Sequence, residues 1–116
     1  MTRILFASLM MLALASLNFS KKTHKPMMLQ SYVEIKNATG LDARACSKLS
    51  QFAAKFRCGV WLTFKNKRMN GKEVMGIMML QAKKGDLVHL EVEGDKEEEC
   101  YNSLIALIDS KFGEKE

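Results

Sequence analysis

Several stretches of this chain alternate apolar and polar residues, and others repeat their apolar residues at steps of three and four. In Tyr32-Val33-Glu34-Ile35-Lys36, Val33 and Ile35 share one face, the pattern of a half-buried strand. Val60 to Phe64 repeats it with Val60, Leu62 and Phe64 inward, and Leu87 to Val92 with Val88, Leu90 and Val92 inward. Ala43, Cys46, Leu49, Ala53 and Phe56 instead follow helical spacing, and Gly59 ends that segment. Asp42 stands just before them, where a carboxylate can accept a bond from an orphan N–H of the first turn. A second long helix is expected after Asp95, with Glu98 three residues on as a capping-box partner. Its buried stripe is Cys100, Leu104, Leu107 and Ile108, and Phe112-Gly113 closes it.

The connecting pieces are less decided. Asn37 to Gly40 and Gly85-Asp86 read as turns, Lys65 to Arg68 as a hairpin tip, and Met69 to Lys72 as a brief third strand. Glu73 to Leu80 is a nearly continuous apolar run, either a buried strand or a short buried helix. Its methionines and leucine favour helix, while Gly76 weakens it. The resulting order is β-α-β-β-α-β-α. Alternating burial in the strands predicts an α/β (α+β) fold with helices on one sheet face and water on the other.

The net charge of +5 suggests a nucleic-acid binder until its distribution is read. Arg3, Lys21, Lys22 and Lys25 carry the excess; from Met28 onward, 14 basic residues face 13 acidic ones. Residues 28–72 hold nine basic and two acidic side chains, and residues 73–116 hold five and eleven. Phe52, Phe56, Trp61 and Phe64 do not interleave with the basic residues as a base-stacking platform would. No nucleic-acid partner is expected.

Ile4 to Leu17 is apolar and broken only by serines, too short for a membrane span of about 20 residues. It resembles a signal-peptide core, with Ala13-Leu14-Ala15 as a small-x-small site. A secretion signal, an uncleaved anchor and sequence ahead of the true start all compete, and Met27 and Met28 precede the first strand. We expect residues 1–27 to be an extension and linker, and residues 28–116 to form one domain that does not enter the membrane. That domain is expected in the cytoplasm, the alternative being export or tethering through residues 4–17. Cys46, Cys58 and Cys100 are odd in number without a C-x-x-C pair, so reduced thiols are expected and no metal site or cofactor. His89 alternates outward with Glu91, and His24 lies in the linker; both read as solvated bystanders.

Two motifs carry a family resemblance. Gly40-Leu41-Asp42-Ala43-Arg44-Ala45 is similar to the G-[LI]-H-A-R-P loop of HPr, the phosphocarrier of the bacterial phosphoenolpyruvate:sugar phosphotransferase system. Lys72 to Leu80, KEVMGIMML, is similar to that family's K-S-[ILV]-M-G-[ILV]-M-S-L segment. The spacing between them, the run EGDKEEE and the closing FGE fit as well. The resemblance implies an open-faced sandwich of four antiparallel strands under three helices. It also implies that Asp42 takes the position of the phosphorylated histidine, Ala45 that of the following proline, and Glu73 that of the regulatory serine, while Arg44 is retained for anion stabilisation.

An imidazole forms a phosphoramidate that readily passes its phosphoryl group on; a carboxylate would form an acyl phosphate. A single carboxylate reproduces only part of the charge of about −1.5 to −2 on a phosphate. The expected function is therefore a docking or regulatory module of the phosphotransferase system, not an enzyme. A carrier phosphorylated on Asp42 and an exported binding domain are the alternatives. The resemblance places partner contacts at Ser47, Lys48, Gln51, Val74, Met75 and Met78. The implied partners are Enzyme I, sugar-specific IIA proteins or regulatory proteins, met by a monomer.

Overall fold

The computed structural model describes residues 28–115; the extension and linker expected at residues 1–27, His24 included, lie outside them. Strand β1 spans Leu29–Glu34, helix α1 Ala43–Ala54, β2 Gly59–Phe64, β3 Lys67–Asn70, α2 Val74–Met78, β4 Leu87–Glu93 and α3 Glu97–Asp109. A short 3-10 turn, Lys111–Gly113, follows. The four strands form one antiparallel sheet in the order β1-β4-β2-β3. This is the α+β open sandwich that the alternation implied.

Register explains the core. Val33 pairs with Val88, and β4 in turn places Leu90 beside Leu62 and Val92 beside Val60. These side chains stand on one face because strand side chains repeat every second residue. Against them lie Ala45, Cys46, Leu49 and Ala53 of α1, Ile77 of α2, and Cys100, Leu104, Leu107 and Ile108 of α3, all buried. Phe112 is fully buried where the chain turns back after α3. The opposite sheet face is open. There Arg68 lies over the Trp61 ring at 4.3 Å and reaches Glu91 at 3.2 Å.

Several local expectations are corrected. Ala43 is exposed, and Ala45 takes its place in the buried stripe of α1. The run from Glu73 resolves as helix, with Ile77 fully buried. The hairpin tip is only Lys65-Asn66, both at positive φ (49° and 67°), so Lys67 and Arg68 already belong to β3. Two positive φ values in a two-residue loop match the right-handed twist of the flanking strands. Asp95 does not cap α3. Left-handed Lys96 holds the N-cap, and the Glu97 carboxylate accepts the Gly94 N–H at 3.3 Å, one residue away from the predicted pairing. The helix also ends before Phe112-Gly113, at Asp109 with Ser110 as C-cap. His89 is half-buried, with its ring 5.0 Å from that of Tyr32 and its Nδ1 3.7 Å from Glu91, where a solvated position was expected.

Candidate functional site

The site is built on the turn between β1 and α1. Asn37 is fully buried, and its side-chain amide donates to the Gly40 carbonyl at 2.8 Å. Gly40 itself has φ +68°, and a Cβ there would lie 2.6 Å from the Ala82 carbonyl oxygen. Only glycine passes so close to the neighbouring backbone in that conformation. The Leu41 N–H then donates to the Ala82 carbonyl at 2.9 Å, locking the turn to the segment after α2. Asp42 is thereby delivered in extended conformation (φ −85°, ψ −177°) to the start of α1.

There the Ala45 N–H donates to Asp42 Oδ1 at 2.9 Å. This is the expected N-cap: Asp42 satisfies one of the N–H groups that the first turn leaves without a helical partner. The bond is the main reason its carboxyl titrates below the ordinary aspartate range. Partial desolvation opposes it, and the Thr39 hydroxyl and the Arg44 charge assist. Arg44 is exposed on the first turn of α1. It makes no ion pair with Asp42: the ion pairs among the described residues are Lys36–Asp109, Arg68–Glu91 and His89–Glu91. Arg44 acts on Asp42 through space, leaving its guanidinium fork open to solvent.

The remaining candidates divide. Gln51 is exposed and Ser47 half-buried on α1. Lys48 already has an internal partner, donating to the Phe112 carbonyl at 2.6 Å and so tying α1 to the chain after α3. Glu73 occupies the N-cap of α2. It makes no capping bond through its side chain and is exposed. On α2, Met75 is 74% exposed, while Val74 and Met78 are half-buried against the core. Met79 is also exposed, at 58%, and completes an apolar patch that sequence reasoning missed. The signal was available, since Met79 follows Met75 by four residues, one helical turn.

Sequence reasoning also missed Thr39 and Glu114. The Thr39 hydroxyl donates to Glu114 Oε1 at 3.4 Å, and Asn37 Nδ2 reaches the same oxygen at 3.4 Å. The C-terminal segment therefore braces the turn behind Asp42, a contact between residues 75 positions apart that no local pattern announces. Among the described residues, no group of three or more His, Cys, Asp or Glu side chains is placed to hold a metal ion. Cys46, Cys58 and Cys100 are free and buried. Among the described residues, no helix is long and apolar enough to cross a membrane.

Comparison with known proteins agrees with this geometry. Residues 29–110 match the family model "PTS HPr component phosphorylation site". The chain is 46% identical over 89 residues to the phosphocarrier protein HPr of Neisseria meningitidis, covering 77% of this chain and 100% of that one. It is 43% identical over 89 residues to the phosphocarrier protein HPr of Cupriavidus necator, again over 77% and 100% of the two chains. A crystal structure of HPr-C-His from Thermoanaerobacter tengcongensis superposes with a TM-score of 0.73 at 45% identity, covering 76% of this chain and 99% of that one. The fold, the matched residues and the near-complete coverage of its relatives agree: the chain belongs to the HPr family of phosphotransferase-system proteins.

Proposed function

We propose that this HPr-family chain is a docking or regulatory module that carries no phosphate on a histidine. The observation that supports it is the bond from the Ala45 N–H to Asp42 Oδ1 at 2.9 Å. The start of a helix attracts an anion through its free N–H groups and its dipole. Here the chain's own carboxylate fills that role, ionised at neutral pH and titrating below the ordinary aspartate range. On the motif correspondence given above, Asp42 stands where the family's phosphorylated histidine would. The loop is then held in one anionic state in place of a switchable one. Glu73, at the position of the regulatory serine, adds a second permanent charge.

Partner contact runs through Arg44, Ser47, Gln51 and the patch of Val74, Met75 and Met78, with Lys48 contributing whatever donors Phe112 leaves free. Methionine-rich surfaces adapt to several partners, which suits a module read by Enzyme I, IIA or regulatory proteins. The chain acts as a monomer in the cytoplasm, where those partners work.

The test is intact mass after incubation with Enzyme I, Mg²⁺ and phosphoenolpyruvate, with Asp42→His run beside the wild type. The wild type should stay unmodified while Asp42→His gains one phosphoryl group, showing an intact docking surface around a missing nucleophile. A wild-type phosphate that hydroxylamine removes would identify Asp42 as an acyl-phosphate carrier and overturn the proposal.

A further inference from the structure

A cleft of 540 Å³ opens between the β2–β3 hairpin tip and the segment that follows α2. Its size falls within the range of about 300–1,000 Å³ usual for small-molecule pockets. Leu41, Phe64 and Leu80 give it an apolar floor, and Lys65, Lys67 and Lys83 stand around it. None of the residues lining it is acidic. Two carboxylates lie close to lining residues in sequence, and both are turned to backbone N–H groups: Asp42, next to Leu41, accepts from Ala45 at 2.9 Å, and Asp86 accepts from Lys83 at 2.7 Å.

The hairpin tip turns on left-handed Lys65 and Asn66, and the opposite lip on left-handed Gln81. Lys67 Nζ donates to the Met79 carbonyl at 3.3 Å and so bridges the two walls. An ammonium has three donors, so Lys67 retains two for a ligand. Ammonium groups gathered around apolar surface without a carboxylate among them repel one another, and a bound anion relieves that repulsion.

From this arrangement we propose that the cleft binds a small organic anion with an apolar body, a carboxylate or a phosphate monoester. The body lies on Leu41, Phe64 and Leu80, and the anion takes donors from Lys65, Lys67 and Lys83. The site is separate from the start of α1, since Asp42 and Arg44 do not line it. It shares one wall with the turn that carries Asp42, because Thr39 and Leu41 line the cleft. The proposal does not depend on whether Asp42 carries phosphate.

The experiment is amide NMR of the full chain titrated with phenyl phosphate, with inorganic phosphate and phenol as separate arms. Phenyl phosphate should shift the amides of residues 39–41, 64–67 and 80–83 and saturate at roughly millimolar concentration, the affinity expected for a ligand of this size. Each half-ligand should act on the same amides at least about tenfold more weakly. The double variant Lys65→Gln, Lys83→Gln should lose about tenfold in affinity, the order expected of two exposed ion pairs, with its other amides unmoved. Shifts centred on residues 43–45 would assign the anion to the helix start and overturn the proposal. So would phenol matching phenyl phosphate, an unchanged double variant, or no saturation below about 20 mM.

Discussion

Removing the Asp42 carboxylate tests whether one side chain both caps α1 and supplies the anion. Asp42→Ala deletes the 2.9 Å bond from the Ala45 N–H. Loss of an N-cap costs about 1 kcal/mol, within a range of about 0.5–2. In a domain of this size that lowers Tm by about 4–8 °C. Asp42→Asn keeps an acceptor at the same place, so only the charge is lost. That costs about 0.3–1 kcal/mol from the helix dipole, and little more from Arg44, which is exposed and makes no close contact. The two variants should therefore differ at pH 7, with alanine the worse. The pH dependence has a definite sign. The folded carboxyl titrates below the unfolded value of 3.8, so its contribution is complete above that value and disappears as pH falls through the folded pKa. Urea unfolding followed by circular dichroism, at pH 7 and at steps toward about pH 2.5, should show the gap between wild type and Asp42→Asn closing. A gap that stays constant with pH, or an alanine variant that costs less than about 0.3 kcal/mol, refutes the argument.

Other outcomes follow from the same geometry. Met75→Glu changes a residue that is 74% exposed, so stability should move by less than about 0.5 kcal/mol while binding to Enzyme I, followed by calorimetry, is lost. Retained binding would remove α2 from the docking surface. Gly40→Ala forces a Cβ to within 2.6 Å of the Ala82 carbonyl oxygen at φ +68°, and should cost about 1–3 kcal/mol in urea unfolding. A cost near zero would mean the turn relaxes freely and does not position Asp42. The native protein should release almost no thionitrobenzoate from Ellman's reagent at pH 8, because all three cysteines are buried and desolvation pushes the Cys46 and Cys100 thiols up to about 12. Thiols held protonated in the fold stabilise it fully below their unfolded value of 9.0, and this contribution is lost as pH rises from about 9 to about 12. Cys100→Ala should flatten that decline in urea unfolding, and an unchanged slope would separate the thiol from the base sensitivity.

The sequence announced those elements whose structure is decided locally. Val33, Val88, Leu90 and Val92 alternate because one sheet face is buried, and the same fact writes them into the chain and into the core. Asp42 was legible for the same reason, since an N-cap is a bargain among neighbours only three residues apart. The misreadings fall where a non-glycine residue turns left-handed or where packing decides. Asp95 and Glu98 have the spacing of a capping box, yet left-handed Lys96 shifts the start of α3 so that Glu97 takes the bond. The hairpin tip was drawn too wide because Lys65-Asn66 lacks the glycine that usually marks a two-residue turn. Ala43 and Ala45 are chemically alike, and only packing against the sheet chooses Ala45.

The site shows the same division, and it bears on function. Asp42, Arg44 and the α2 methionines could be found from motifs because each lies within a few residues of the element it serves. Thr39, Glu114 and the wall contributed by Ala82 could not, because they meet only when the sheet and the C-terminal segment close around the turn. Those distant contacts brace the turn that carries Asp42. The Gly40 turn is fixed by Asn37 on one side and Ala82 on the other, so a carboxylate placed there has one favourable position, on the Ala45 N–H. A larger side chain that must also receive and release a phosphoryl group needs that N–H to be free for part of its cycle. The turn as built gives Asp42 a partner at rest, which suits an unchanging charge better than a group in transit. Asp42→His should therefore weaken the cap in its unphosphorylated form and recover stability when phosphorylated, a rise in Tm on phosphorylation that thermal unfolding reads directly. Equal Tm values for the two forms would mean that the helix start does not sense the anion, and the electrostatic reading of this loop would fail with it.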